Sequence, residues 1–189
     1  GLKNKIKYKA SHNNEENAKT ELDNIIQQLQ NKGYLLAHYD SLISINNTIS
    51  VKINEGEIYK WANLKIGNLN PTVANSVGYT EKQFNAVNFN PQQTVKLIRK
   101  IISYYENHGY PFVTIKLDSV TINSNTILAS LNVNKNKLYI IDSVVVIGNL
   151  KLNKKFLQNY ISIKNNDLYN EVLIKNVSKK IRQLPFINE

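Results

Sequence analysis

Between residues 91 and 106, Val95, Ile98, Ile101/Ile102 and Tyr105 recur every three or four positions, which predicts a helix with one buried face. Asn90 stands at its N-cap, Pro91 at its first position and Gln93 three residues after the cap, a start signal built on side-chain capping of free N–H groups. Gly109 ends it as a left-handed cap would. The period then changes to two. Val113, Ile115 and Leu117 alternate with polar residues, Asn123-Ser124-Asn125 turns the chain, and Ile127, Ala129, Leu131 and Val133 alternate again, which predicts a hairpin. Upstream, Ile58, Trp61, Leu64 and Ile66 mark a strand over Glu57–Ile66 closed by Gly67-Asn68, and Thr80–Ala86 reads as a short helix. The order across this stretch is β-α-α-β-β.

The pattern repeats. Ile53-Asn54-Glu55-Gly56-Glu57-Ile58-Tyr59 returns 80 residues later as Val133-Asn134-Lys135-Asn136-Lys137-Leu138-Tyr139. Ile66-Gly67-Asn68-Leu69 returns as Ile147-Gly148-Asn149-Leu150, and Gly33-Tyr34-Leu35-Leu36 as Gly109-Tyr110-Pro111-Phe112. Ordered recurrence at nearly one spacing marks a tandem array. We place its units at 1–56, 57–137 and 138–189. The first has a strand at Lys5–Lys9, one helix capped by Asn13 with Ala18, Leu22, Ile25/Ile26 and Leu29 on its buried face, a stop at Gly33, and strands over Leu35–Ile45 and Thr48–Ile53; a second helix is missing. The third has a strand at Leu138–Ile147, a short helix around Lys154–Tyr160, and a helix capped by Asn170 with Leu173, Val177, Ile181 and Leu184 on one face. It is expected to be truncated before its last two strands, making the chain a piece of a longer protein. The segments joining the units run from one unit's last strand into the next unit's first strand, with almost no linker.

Charge changes the picture less than its size implies. The formal net charge is +10, but only Arg99 and Arg182 among the 24 basic residues are arginines. Arginine is the residue that reads phosphate and guanine bidentately. The 30 Asn, 23 Ile and 11 Tyr accompany the lysines, as an A/T-rich codon bias would produce. The lysines are spread without a block, so a solvated basic surface is expected and no specific nucleic acid. Cysteine is absent, which removes disulfides, thiolate metal sites and Cys nucleophiles. The longest apolar runs are short, such as Val144-Val145-Val146-Ile147, far below the roughly 20 residues of a spanning helix.

A tandem β-α-α-β-β unit with Gly-Asn after its first strand and a second helix ending in Gly-Tyr resembles the POTRA domain. The third unit carries the likeness in Ile147-Gly148-Asn149, Phe156-Leu157-Gln158-Asn159-Tyr160-Ile161, Leu168-Tyr169-Asn170 and Ile181-Arg182-Gln183-Leu184-Pro185-Phe186; the second carries it in Ile66-Gly67-Asn68 and Gly109-Tyr110-Pro111-Phe112. Gly67, Asn68, Gly109, Gly148 and Asn149 are thus structural turn residues. The resemblance implies an α+β fold of small three-stranded mixed sheets with helices on one face. It also implies the periplasmic part of a Gram-negative outer-membrane assembly factor of the BamA/TamA type, or of a two-partner secretion transporter. Its partners would be unfolded outer-membrane proteins or extended peptides, accessory assembly lipoproteins, and the protein's own C-terminal membrane β-barrel. Zero Cys suits an oxidising compartment.

No catalytic, cofactor-binding or metal site is expected, and the protein is not read as an enzyme. His12, His38 and His108 are far apart in sequence; Glu55 and Glu57 flank Gly56 in a solvated turn; no phosphate loop, G-x-G-x-x-G or G-x-S-x-G occurs. Trp61, Tyr104 and Tyr105 match core spacing better than a base-stacking platform. In the POTRA arrangement the third strand is central and the second is an edge. Val113, Thr114, Ile115, Lys116 and Leu117 are therefore the candidate peptide-binding strand, pairing through the backbone with an incoming extended chain. Lys116 reads first as a guard against self-pairing. A docking scaffold that touches no substrate, and a basic nucleic-acid-binding α/β module, are the alternatives.

Overall fold

The computed structural model describes residues 6–46, 48–147 and 153–184. Its elements are α1 (Glu15–Gln30), β1 (His38–Ile45), β2 (Thr48–Asn54), β3 (Lys60–Lys65), α2 (Pro71–Ser76), a 3-10 turn (Glu81–Phe84), α3 (Pro91–Glu106), β4 (Thr114–Asn123), β5 (Thr126–Asn134), α4 (Lys154–Ile161) and α5 (Glu171–Arg182). This is the expected α+β class. Cα packing groups the chain into two compact units: Gly1–Gly67 with Gly78–Leu97 and Leu117–Leu131, and Asn68–Val77 with Ile98–Lys116 and Asn132–Glu189.

The second repeat, as read from the sequence, holds a three-stranded sheet. Its sheet runs in the order β3-β5-β4, with β3 parallel to β5; the two-residue connection from β4 to β5 makes that pair antiparallel. The third strand is central, as expected. Along β5, Ile127, Ala129, Leu131 and Val133 are all buried and alternate with half-buried neighbours. On β3, Trp61 and Leu64 are fully buried although three residues apart, because a register shift between Trp61 and Asn63 returns both to one face. Phe84 meets Trp61 edge-on with centroids 6.2 Å apart, and Phe89 lies 4.9 Å away. At roughly 25 cal/mol per Å² over about 150–250 Å² per ring, each such aromatic contributes about 4–6 kcal/mol before entropy is counted. This cluster dominates the local packing, and Trp61 and Tyr105 are core residues as predicted.

Several boundaries differ from the sequence reading. The first helix of this repeat is Pro71–Ser76, with Asn70 Oδ1 accepting the Thr72 N–H at 2.8 Å; the expected Thr80–Ala86 helix is only the 3-10 turn. The α3 cap is Asn90 as read, its Oδ1 accepting from the Gln93 N–H at 3.1 Å. On α3, however, Val95 is 44% exposed while Thr94 and Leu97 are buried with Ile101 and Tyr105. α1 is capped by Asn14, not Asn13: its side chain accepts from the Asn17 N–H at 2.8 Å.

The first repeat has a two-stranded sheet, β1 with β2, in place of three strands. Lys5 lies outside the described residues, and residues 6–9 form no strand. The Gln28 side chain donates to the Lys7 carbonyl and accepts from its N–H, and Glu21 accepts the Lys9 N–H at 2.8 Å. These bonds hold the segment on α1. Ile25, Leu29 and Ala37 form the local core, with Ile6, Leu22, Tyr34 and Ile53 packed against it.

In the third repeat Leu157, Ile161 and Ile163 are buried, and Leu173, Val177 and Ile181 of α5 pack on them. The expected strand over Leu138–Ile147 is reduced to one bridge, Ile140 to Leu168. A strand needs a partner for its backbone groups, and no counterpart of β5 follows within the described residues. Gly148, Asn149, Pro185 and Phe186 lie outside them. The joining segments are not continuous strand either: five residues, Glu55–Tyr59, separate β2 from β3.

Candidate functional site

The site is the edge of the second repeat's sheet. On the β3 side the edge is covered: the Trp61 N–H donates to the Val87 carbonyl at 2.8 Å, and Lys60 and Asn63 bridge to Asn88 and Asn85. On the other side β4 pairs with β5 alone among the described residues. Val113, just before β4, is buried; Ile115 and Leu117 are half-buried; Thr114, Lys116 and Asp118 are exposed. The five predicted residues thus lie together at an edge strand, with an apolar row inward and a polar row outward.

The direction of the backbone groups follows from the ladder. Lys60 donates to the Asn125 carbonyl at 2.8 Å, so residues 125, 127, 129 and 131 of the β5 side turn their N–H and C=O toward β3. The even-numbered residues of β5 turn toward β4. Cross-strand partners share a sheet face, so the exposed Thr114 and Lys116 bond to β5. The N–H groups of Ile115 and Leu117 point out from the edge. The regular alternation stops at Ser119, whose φ of +52° is left-handed and whose N–H is held by Asp118 Oδ1 at 2.9 Å. A kink of this kind shortens the usable edge, as natural sheets do against self-association.

The Gly67-Asn68 turn holds β3 in register with β5. Gly67 has φ +57°, and a Cβ there would lie 1.8 Å from the Leu131 carbonyl oxygen. Only glycine allows that approach. Asn68 Nδ2 then donates to the Val133 carbonyl at 2.9 Å while its Oδ1 accepts the Val133 N–H at 2.7 Å. The side-chain amide imitates one more strand residue.

Sequence reasoning missed a bonding pattern that repeats with the sequence. In the first compact unit the Tyr59 N–H donates to Gly33 at 2.7 Å and the Phe89 N–H to Tyr59 at 2.9 Å. In the second, the Tyr139 N–H donates to Gly109 at 2.8 Å and the Tyr169 N–H to Tyr139 at 3.0 Å. Gly56 and Asn136 occupy the same left-handed position, each N–H capped at 3.1 Å by the asparagine two residues before, Asn54 and Asn134. The 80-residue recurrence of Tyr59 and Tyr139 was the available signal. Tyr169 donates its hydroxyl to Glu171, which holds its pKa up to about 12.

The histidines stay apart, each against a nearby carbonyl: His12 at Lys9, His38 at Leu36 and His108 at Tyr104. Among the described residues no three His, Cys, Asp or Glu side chains gather as a metal site would require, and no helix is long and apolar enough to cross a membrane.

No protein-family model and no curated protein sequence matches the chain. Solved structures do. BamA POTRA domains 3–5 of Haemophilus influenzae superpose with a TM-score of 0.57 at 16% identity, over 90% of this chain and 70% of that one. POTRA domains 1–3 of the periplasmic domain of Omp85 from Anabaena give 0.44 at 8% identity, over 100% and 78%. The N-terminal domain of Omp85 from Thermosynechococcus elongatus gives 0.36 at 9%, over 90% and 74%. The first of these likenesses shows that the chain has the POTRA fold.

Proposed function

We propose that this chain is the periplasmic POTRA portion, with repeats at 1–56, 57–137 and 138–189, of an outer-membrane protein that assembles or translocates β-barrel proteins in a Gram-negative bacterium. In this reading it performs no chemistry. It holds extended segments of unfolded outer-membrane proteins by backbone pairing at β4 and works beside accessory lipoproteins and its own membrane β-barrel. The observation that carries the reading is the edge itself: β3 is covered by residues 85–89, whereas β4 presents the outward N–H groups of Ile115 and Leu117. Main-chain pairing gives affinity with little sequence preference, which fits many clients whose strands share only apolar-polar alternation.

The test is NMR titration with a synthetic peptide of alternating apolar and polar residues. Shifts are expected along 113–118. Ile115→Pro and Leu117→Pro remove outward N–H groups and abolish binding, whereas Ile115→Val and Lys116→Gln leave it nearly unchanged. Circular dichroism checks that each variant is folded. Folded proline variants that bind like the parent would leave the array as a docking scaffold for lipoproteins.

A further inference from the structure

Helix α1 carries three faces. Ile25 and Leu29 point to the core, while Glu21 and Gln28 on one flank hold Lys9 and Lys7. At about 100° per residue, Asp23, Gln27 and Gln30 emerge on the opposite flank, with Ile26 between them and the core. Together with residues 37–39 they wall a hollow of about 400 Å³, toward the lower end of small-ligand sites. The buried Ala37 and the half-buried Ile26 give it an apolar part, and Tyr39, 42% exposed, gives it an aromatic ring.

The polar part is mostly amide. Asn24, Gln27 and Gln30 line the hollow, and their side chains bond to no other described residue, whereas the neighbouring Gln28 is engaged at both ends. These residues do little for the helix. Asparagine is a poor former of helix interiors. The last turn of α1 also has no basic side chain, although the macrodipole favours one there and 22 of the chain's 24 basic residues are lysines. An amide offers a donor and an acceptor side by side, as a hydroxyl-rich ligand requires. Anions and metal ions fit badly. No Lys or Arg lines the hollow, and both His38 ring nitrogens are taken, by the Leu36 carbonyl and by Asp40. Asp23 is the only carboxylate among the lining residues, too few for a hard cation. A neutral polyhydroxylated ring matches better, because its C–H face can lie on an aromatic ring while its hydroxyls meet the amides. We infer that this hollow is a binding site for a short neutral saccharide, with Asn24, Gln27 and Gln30 bonding its hydroxyls and Tyr39 covering a sugar ring. The site lies in the first repeat and is independent of pairing at β4.

The experiment titrates ¹⁵N-labelled protein with maltose and with N,N′-diacetylchitobiose, to on the order of 10 mM. Shifts are expected in the side-chain amide signals of Asn24, Gln27 and Gln30 and in the backbone amides of 37–39, and not along 113–118. The tighter sugar tells whether an acetamido group is read. Asn24→Ala and Gln30→Ala should each weaken binding about fivefold, the worth of one hydrogen bond. Thermal melts should show Asn24→Ala at least as stable as the parent, since alanine is the better helix former. Tyr39→Ala, with its fold checked by circular dichroism, should lose about tenfold. Four results overturn the inference: no shifts with either sugar, shifts confined to residues outside 23–39, folded alanine variants that bind like the parent, or inorganic phosphate moving the same signals as strongly as sugar does.

Discussion

The same apolar alternation is buried in the second repeat and half-buried in the first. Leu131 is 1% exposed and Ala129 2%, while Val51 and Ile49 remain partly open. The β5 row lies on the central strand of three, whereas β2 is one of only two strands in its sheet among the described residues. Among the described residues the difference is a third strand, which β5 has beside it and β2 does not. A strand's pattern specifies which face goes inward, but how far it is buried depends on its neighbours in the sheet. β3 reaches its place because Gly67 lets the chain pass against Leu131 and Asn68 ties it to Val133. In the first repeat the α1 side chains Gln28 and Glu21 hold Lys7 and Lys9, while Ile6 packs with Ile53 on the local core.

The largest test of this contrast is Gly67→Ala. The added methyl meets the Leu131 carbonyl oxygen at 1.8 Å on a left-handed backbone, so the β3–β5 ladder must open. We expect a loss of at least about 3 kcal/mol in urea unfolding. Gly78→Ala is the control, since φ there is +77° with no atom within 4 Å of the new Cβ; it should cost only about 1–2 kcal/mol. Equal losses would mean that backbone conformation, not close approach, decides.

Next in size are the cores themselves. Ile101→Ala and Tyr105→Ala, at 0% and 5% exposure, should each cost about 2–5 kcal/mol. Ile53→Ala, on the half-buried row, should cost about half as much or less. A loss at Ile53 equal to that at Ile101 would erase the distinction between the repeats. Asn68→Ala and Asn68→Asp come after these, at about 1–3 kcal/mol. Aspartate is no rescue, because it sets an acceptor against the Val133 carbonyl where Asn68 donates.

What was legible in the sequence divides along the same line. Elements fixed by local chemistry were readable: the Asn90-Pro91 start of α3, the Asn170 cap of α5, the alternation of β4 and β5. The Asn70-Pro71 start of α2 bears the same signal as Asn90-Pro91 and was overlooked, since six helical residues show too little of a 3.6 period to announce themselves. Val95 fits the period of α3 but sits at the rim of its face, where Leu97 and Thr94 turn inward instead. β3 was read as a strand although its partner β5 lies far along the chain, but two other segments that need a distant partner were misread. Residues 6–9 and 138–147 carry strand-like alternation, and neither forms a ladder, because pairing is decided by what lies alongside. For the candidate site, the edge position of 113–117 followed from the resemblance to the POTRA arrangement. The direction of its N–H groups required the Lys60–Asn125 bond, which no sequence pattern records.

The smallest effect distinguishes the openings of the two hairpins. β1 begins with His38 where β4 begins with Thr114. His38 Nδ1 donates to the Leu36 carbonyl at 2.8 Å, and Nε2 lies 2.9 Å from Asp40 Oδ1. The Leu36 carbonyl is the larger cause and Asp40 adds to it, and together they raise the His38 pKa above its ordinary value of 6.5. A raised folded-state pKa means that the folded protein holds the proton more tightly than the unfolded chain. The stabilisation is therefore complete below about pH 6.5 and is lost as pH rises through the folded value. His38 and Asp40 side chains are 57% and 38% exposed, so solvent screening keeps the effect on melting near the limit of detection. The imidazole reports it directly. Its NMR titration midpoint should lie above that of a denatured control, and Asp40→Asn should bring it only part of the way down, leaving the share due to the Leu36 carbonyl. A midpoint that falls fully to the denatured value in Asp40→Asn would make the carboxylate the sole cause, and the first turn of β1 would then owe its pH response to Asp40, the residue at the Tyr39/Ser41 register shift that β2 does not match.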